Sequence, residues 1–319
     1  MMRRLPLWIT LLPLAAGIAA WWYAWSGWAD GFAAVMRAWF PAAQISVTGF
    51  PYRMETEIEQ PRLTSSGRVA ITASADRARF NRGPWRPELT VIQAQAPAVT
   101  VALDDVLRAQ FSAPVALTSV HVAGGRLLRL SSAADAASVR LGFVDVPLAV
   151  GRLELHVRER RDAATPGNPD FPPRGEFVVH GKDVRIGMAP PLAVELAALV
   201  QGPARLISHA RWLDGGSIAI KRLDFADSTG SIAQVQATLV PDGADAFILA
   251  GTITTVCPAS IAARLGGTPA PSEQRLRVPM RLALRGRIGA DQGVLLDALP
   301  ADLATRPRRG QLPPCPALR

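Results

Sequence analysis

The sequence predicts a mainly β protein: an N-terminal transmembrane helix, then a long curved antiparallel sheet or half-barrel with a few short helices. Three observations predict it. An uncharged run, Leu5–Ala29, opens the chain behind Arg3 and Arg4. From residue 45 onward apolar residues recur with a period of two, in short segments broken by Gly and Pro. Helical periodicity is sparse beyond residue 40. A one-faced sheet with few helices to cover it must curl over its apolar side or hold something there.

As a helix, Leu5–Ala29 is roughly 37 Å long at about 1.5 Å per residue. A bilayer core is about 30 Å thick, so the run is long enough to span. Trp21, Trp22, Tyr23, Trp25 and Trp28 cluster at its far end, where amphipathic rings suit the membrane–water interface. Arg3 and Arg4 favour a cytoplasmic N-terminus. Pro13 is tolerated in a spanning helix. Two readings stand: an uncleaved anchor, or a signal peptide cut after Ala19 or Ala29. Either one exports the rest. The expected partition is 1–29 as anchor, 30–44 as a short amphipathic helix and linker, and 45–319 as a β-rich exported domain.

Asp30–Phe40 has Phe32, Val35, Met36, Trp39 and Phe40 at helical spacing, with Asp30 as a cap and Pro41 as a stop. Alternation then begins. Met54, Thr56 and Ile58 alternate with Glu55, Glu57 and Glu59. Gly124-Gly125 between two apolar runs signals a hairpin. Arg152–Arg160 puts Leu153, Leu155 and Val157 on one face and Arg152, Glu154, His156 and Arg158 on the other. The clearest case is Gln274–Gly286. There Leu276, Val278, Met280, Leu282 and Leu284 form a candidate apolar groove face, opposite Arg275, Arg277, Arg281 and Arg285. Pro279 cannot donate to a ladder, which predicts an edge or a bulge. Leu192–Val200 and Pro258–Leu265 are short helix candidates. Asp162–Arg174 is a Pro-rich loop between strands of like character, so one continuous β structure is expected.

Composition narrows function. Against 35 basic residues stand 26 acidic ones, a formal charge of +9, and nearly all the basic residues are Arg. Such a balance suits anionic surfaces. Export and the lack of an aromatic-and-basic platform argue against nucleic acid. Cys257 and Cys315 are an even pair, free to form a disulfide in an oxidising compartment or to remain two small unpaired residues. Their spacing is not a zinc pattern. There is no Gly-rich phosphate loop, no H-E-x-x-H and no G-x-S-x-G. His121, His156, His180 and His209 are scattered, and the pairs Asp104-Asp105 and Asp242/Asp245 fit turns. Nothing points to catalysis or to a cofactor.

Gly49-Phe50-Pro51-Tyr52-Arg53, following a membrane segment and a short amphipathic stretch, resembles a motif of the DUF2125 family, exported proteins of unknown function in Gram-negative bacteria. Trp85-Arg86-Pro87-Glu88-Leu89 looks like that family's W-x-P segment. Ser217–Thr254 resembles its paired strands around a D-G turn, here Asp242-Gly243. Leu276–Pro300 looks like its closing segment. The family is similar in outline to AsmA-like envelope proteins, which implies a single inner-membrane anchor, a periplasmic domain with an apolar concave face, and no catalytic residues. On physical grounds Gly49 permits a close approach and Pro51 sets a bend. Phe50 and Tyr52 then fall on one side, so the motif reads as a structural corner. The expected function is a membrane-anchored periplasmic β protein that binds a hydrophobic or lipid ligand in cell-envelope maintenance. The alternative is a non-enzymatic module that docks to another envelope protein through a strand edge.

Overall fold

A computed structural model describes the chain apart from residues 1–6, 68, 104–106, 143–145, 161–171, 188, 203–214, 244–245, 290–292, 301–302, 304–311 and 317–319, and apart from the side chains of residues 7–10. His209, Asp104, Asp105, Asp245 and most of the Pro-rich loop lie outside the described residues.

The first element is α1 (Leu7–Trp39), a single helix. The break expected at Asp30 does not occur. Trp25, Ala29, Phe32 and Met36 form one buried stripe that crosses that position and packs on Met54, Ile58, Ala78 and Phe80. Continuing the helix buries this stripe; stopping at Asp30 would split it. Residues 11–20 are exposed all round. Among the described residues no helix is long and apolar enough to cross a membrane; these leave out Leu5 and Pro6 of the uncharged run and the side chains of residues 7–10.

Among the described residues, seventeen strands then join one open antiparallel sheet. The first eight are β1 (Met54–Glu59), β2 (Arg62–Ser65), β3 (Val69–Ser74), β4 (Arg77–Arg82), β5 (Leu89–Gln95), β6 (Ala98–Leu103), β7 (Leu107–Ser112) and β8 (Val115–Ala123). They are long strands broken in two. One set of halves forms the ladder β1–β4–β5–β8. The other forms β2–β3–β6–β7. Both ladders end on β9 (Arg126–Leu141), which pairs with β8 along its first part and with β7 at its end. Gly124 and Gly125, both at positive φ, make the two-residue turn from β8 to β9.

The other edge of β9 carries β10 (Leu148–Glu159), β11 (Pro173–Ile186), β12 (Leu192–Gln201), β13 (Ser217–Asp227), β14 (Gly230–Asp242) and β15 (Ala246–Thr255), in order. The chain then forms α2 (Pro258–Leu265) and returns as β16 (Met280–Gly289) and β17 (Val294–Leu296). The β14–β15 hairpin turns after Asp242, with Gly243 at φ 73°.

A crease crosses the first strands. Gln60, Ala96, Ala136 and Asp183 all have positive φ. Backbone bonds link the breaks across the ladder: Gln60 N–H to Asp76 O, Asp76 N–H to Gln95 O, and Ala96 N–H to Pro114 O. Each break adds a residue and so flips which side chains face inward. In β10, Leu148 and Val150 lie before the crease, and Leu153 after it; all three join one apolar cluster. Its buried members are Ala113, Ala116, Ala134, Ala137, Val150 and Val184. Small side chains there let the sheet fold close upon itself.

Leu192–Val200 is strand β12, not a helix. The ladders of β11 and β13 pair its backbone on both edges, and its small outward residues Ala193 and Ala197 fit a pleated strand as well as a helix. Pro258–Leu265 is the helix α2, with Pro at its start.

Candidate functional site

The apolar face of the curled sheet encloses a groove of about 570 Å³. One wall comes from β6, β7 and the end of β9, through Leu103, Leu107 and Leu141. The opposite wall and floor come from β13 to β17, through Ile220, Leu223, Phe225, Leu249 and Leu284 among others. Ile261 and Leu265 of α2 complete the lining. Among the described wall residues only Arg264, exposed on the last turn of α2, carries a charge. A volume of this size lies within the range of small-molecule sites, roughly 300–1,000 Å³.

The wall depends on a bulge. In β13, Ile218 and Ile220 face the groove with even numbering, and Leu223 and Phe225 with odd numbering. The register against β14 slips between Ile220 and Leu223. Without that extra residue Arg222 and Asp224 would point into the groove. Instead they pair with each other outside it.

Met280, Leu282 and Leu284 do lie on the inner face: Leu282 and Leu284 are buried in the core cluster, Met280 packs against it, and Ile288 extends the row. Leu276 and Val278 do not belong to that face. Strand β16 begins only after Pro279, and Val278 is 75% exposed. The segment before it binds the C-terminal tail instead, through a bridge between Gln274 and Pro314. Period-two logic therefore also misplaces Arg275. It is buried and paired with Asp227, not aligned with the outward arginines. Asp227 is pushed up by burial, but hydrogen bonds from the Thr229 hydroxyl and backbone N–H and from Arg275 outweigh this and hold its pKa below the usual carboxylate value.

Three tethers fix α2 at the groove. Cys257, immediately before the helix, is bonded to Cys315. Glu273 accepts hydrogen bonds from the N–H groups of Ala259 and Ser260, at 3.1 and 2.9 Å, and from the Ser260 hydroxyl at 2.9 Å. It thus caps the helix that Cys257 does not cap, with its charge at the positive end of the dipole. The salt bridge of Arg275 to Asp227 binds the segment after α2 to the β13–β14 turn. Cys257, Glu273 and Cys315 offer atoms within 4.8 Å of one another, but both sulfurs are bonded and the carboxylate is occupied as a cap. Replacing Glu273 with Leu should cost about 2 kcal/mol, because the buried Ser260 N–H and hydroxyl and the half-buried Ala259 N–H lose their partner. Thermal unfolding would measure it. An unchanged midpoint would mean that water replaces the cap.

The G-F-P-Y-R motif docks α1. Gly49 has φ 100°, and a Cβ there would lie 2.7 Å from Arg53 Cγ, so the turn requires Gly. The Trp21 indole N–H donates to Pro51 O, and that of Trp25 to Arg53 O, both at 3.1 Å. Phe50 packs edge-on against Trp22 and Trp25. Trp85 of the W-x-P segment stacks on Trp21 at 4.8 Å. Both segments thus serve one contact. Tyr52 does not fill the core: it is 74% exposed.

The outer face carries polar pairs. Ser131 Oγ is 3.0 Å from His156 Nδ1, and His156 Nε2 is 4.0 Å from Glu154. The second distance exceeds a hydrogen bond. Ser131 lies in β9 where β8 and β10 both pair with it, so the local N–H groups are committed to ladders and form no oxyanion hole. Neither residue lines a described cavity. A second hollow, near β14–β17, holds Arg285 and Arg287, which are paired with Asp297 and Asp242. The sheet's outer edges are β1 and β2, six and four residues long, at one end and β17, three residues long, over the middle of β16 at the other.

No curated protein and no solved structure matches the chain. A bacterial family does match, over residues 28–242, a span that includes the G-F-P-Y-R turn, Trp85 and the strands up to β14, and ends before Leu276–Pro300. The chain therefore belongs to the family described as an uncharacterized protein conserved in bacteria, DUF2125.

Proposed function

We propose that this protein is a single-pass inner-membrane protein whose periplasmic sheet binds a lipid acyl chain in its groove. The observation that carries the reading is the groove itself: apolar along both walls, open on the concave side, and large enough for a small-molecule ligand. Burying hydrocarbon there gains about 25 cal/mol per Å² of apolar surface removed from water. The anchor reading is supported by α1, whose Leu11, Leu12, Leu14 and Ile18 project from the domain uncovered. Arg3 and Arg4 favour a cytoplasmic N-terminus, which sends the sheet to the far side. The closed disulfide fits an oxidising compartment.

Mass spectrometry of lipid extracted from the purified full chain tests the reading, together with titration of cis-parinaric acid. Leu223→Asp places a charge on the groove wall, where it cannot be solvated without cost. It should weaken binding at least about tenfold, near 1.4 kcal/mol. Ile248→Asp, on the outer face of β15, should leave binding unchanged. Equal binding by both variants, or none by the parent, would remove the groove from the account.

A further inference from the structure

We infer that the sheet rests directly on the bilayer, with the Pro51–Tyr52 turn and Trp85 seated in the phospholipid headgroup layer beside α1. The inference builds on the anchor reading and adds a second membrane contact made by the β domain.

Hydrogen bonds fix the level of the turn. Trp21 and Trp25 give their indole N–H groups to Pro51 and Arg53, so residues 51–53 run alongside that part of α1. Stacking on Trp21 puts Trp85 at the same level. Their outward neighbours are aromatic and uncovered: Tyr23 is 82% exposed, Tyr52 74% and Trp85 63%. Arg86, beside Trp85, is exposed as well. Rings with one polar edge, next to an arginine, match the chemistry of headgroups and phosphates. A bare aqueous face gains nothing from such rings.

Length removes the slack. From Leu5 to Ala20 a helix covers about 24 Å at roughly 1.5 Å per residue. The hydrocarbon core needs about 30 Å. All of this segment is then consumed in crossing, with about 6 Å of core still to span, so none of it is left to lift Trp21 clear of the membrane boundary. The turn it holds cannot stand off from the surface.

The test uses the full chain in vesicles of phosphatidylcholine and phosphatidylglycerol. Because the two native cysteines are bonded to each other, Leu14→Cys, Tyr52→Cys and Ser228→Cys each add one free thiol for an environment-sensitive fluorophore. Doxyl-labelled lipid and iodide are the quenchers. The probe at 52 should be quenched by the lipid label and protected from iodide several-fold relative to the probe at 228. Equal iodide access at 52 and 228, with the probe at 14 buried, would overturn the inference and leave the anchor standing. Protection at 52 without quenching by the lipid label would mean that protein covers the turn, and would also overturn it. Iodide access at 14 would refute the anchor reading itself.

Discussion

Removing the disulfide should destabilise the C-terminal half of the sheet by about 4 kcal/mol. Cys257 and Cys315 are 58 residues apart, and closing a loop of that length in the unfolded chain costs it roughly this much conformational free energy. For a domain of this size the midpoint of thermal unfolding should fall by about 10 °C, at a few degrees per kcal/mol. The native contacts explain why the loss would be local first. Among the described residues, the tail's backbone bonds run from Cys315 N–H to Glu273 O and from Arg275 N–H to Pro313 O. Once the bond is cut, those contacts hold the described part of the tail without a covalent link. Its departure would uncover the N-terminus of α2, and Ile261 and Leu265 would lose their fixed place on the groove. The double variant Cys257→Ala, Cys315→Ala separates this effect from reagent chemistry. It should match the reduced parent in both midpoint and cis-parinaric acid affinity. A double variant as stable as the oxidised parent would mean that native strain cancels the entropic gain.

The sheet was legible where neighbours in sequence decide the outcome. Gly124-Gly125 makes a two-residue turn, Asp242-Gly243 turns β14 into β15, and the alternation from Met280 to Leu284 places three side chains correctly. Pro258 with Ile261 and Leu265 marks α2 for the same reason. The groove was not legible, because inward facing changes parity at each bulge. An added residue such as Lys221 or Asp183 is chosen by the ladder on either side, and those partners lie tens of residues away. Leu192–Val200 reads as a helix because its outward positions hold Ala193, Ala197 and Leu199 beside the single charge of Glu195, so the period of two is barely marked. Extending a true period past Pro279 misplaced Leu276, Val278 and Arg275. Glu273 left no signal at all: its partners are N–H groups of α2, and any acidic residue in that loop would look the same. The docking of α1 was half visible. The tryptophans and the G-F-P-Y-R turn each stood out, but not that one receives the hydrogen bonds of the other.

Asp227→Ala should cost about 3 kcal/mol at neutral pH, since removing one partner of a buried ion pair leaves the other charge uncompensated. Arg275 is 8% exposed and its guanidinium would keep its charge. Asp227→Asn should cost nearly as much, which distinguishes lost charge from lost volume. Adding Arg275→Leu to Asp227→Ala should restore part of the loss, because neither charge then remains buried. The pH dependence has a definite sign. The folded carboxyl has a pKa below its unfolded value, and the unfolded value is about 3.9. The pair's stabilisation is therefore complete above that pH and is lost as pH falls through the folded pKa. Urea unfolding of parent and Asp227→Ala should give curves that converge in strong acid and separate fully by about pH 5. A constant gap down to the lowest pH would assign the effect to packing instead. The consequence reaches the groove. Arg275 ties the return from α2 to the β13–β14 turn, the same hairpin that supplies Leu223 and Leu239 to the wall. Loosening this tie should weaken cis-parinaric acid binding even though neither residue lines the groove. Binding unchanged in an Asp227→Ala protein that remains folded would show that the wall holds its shape without the tether.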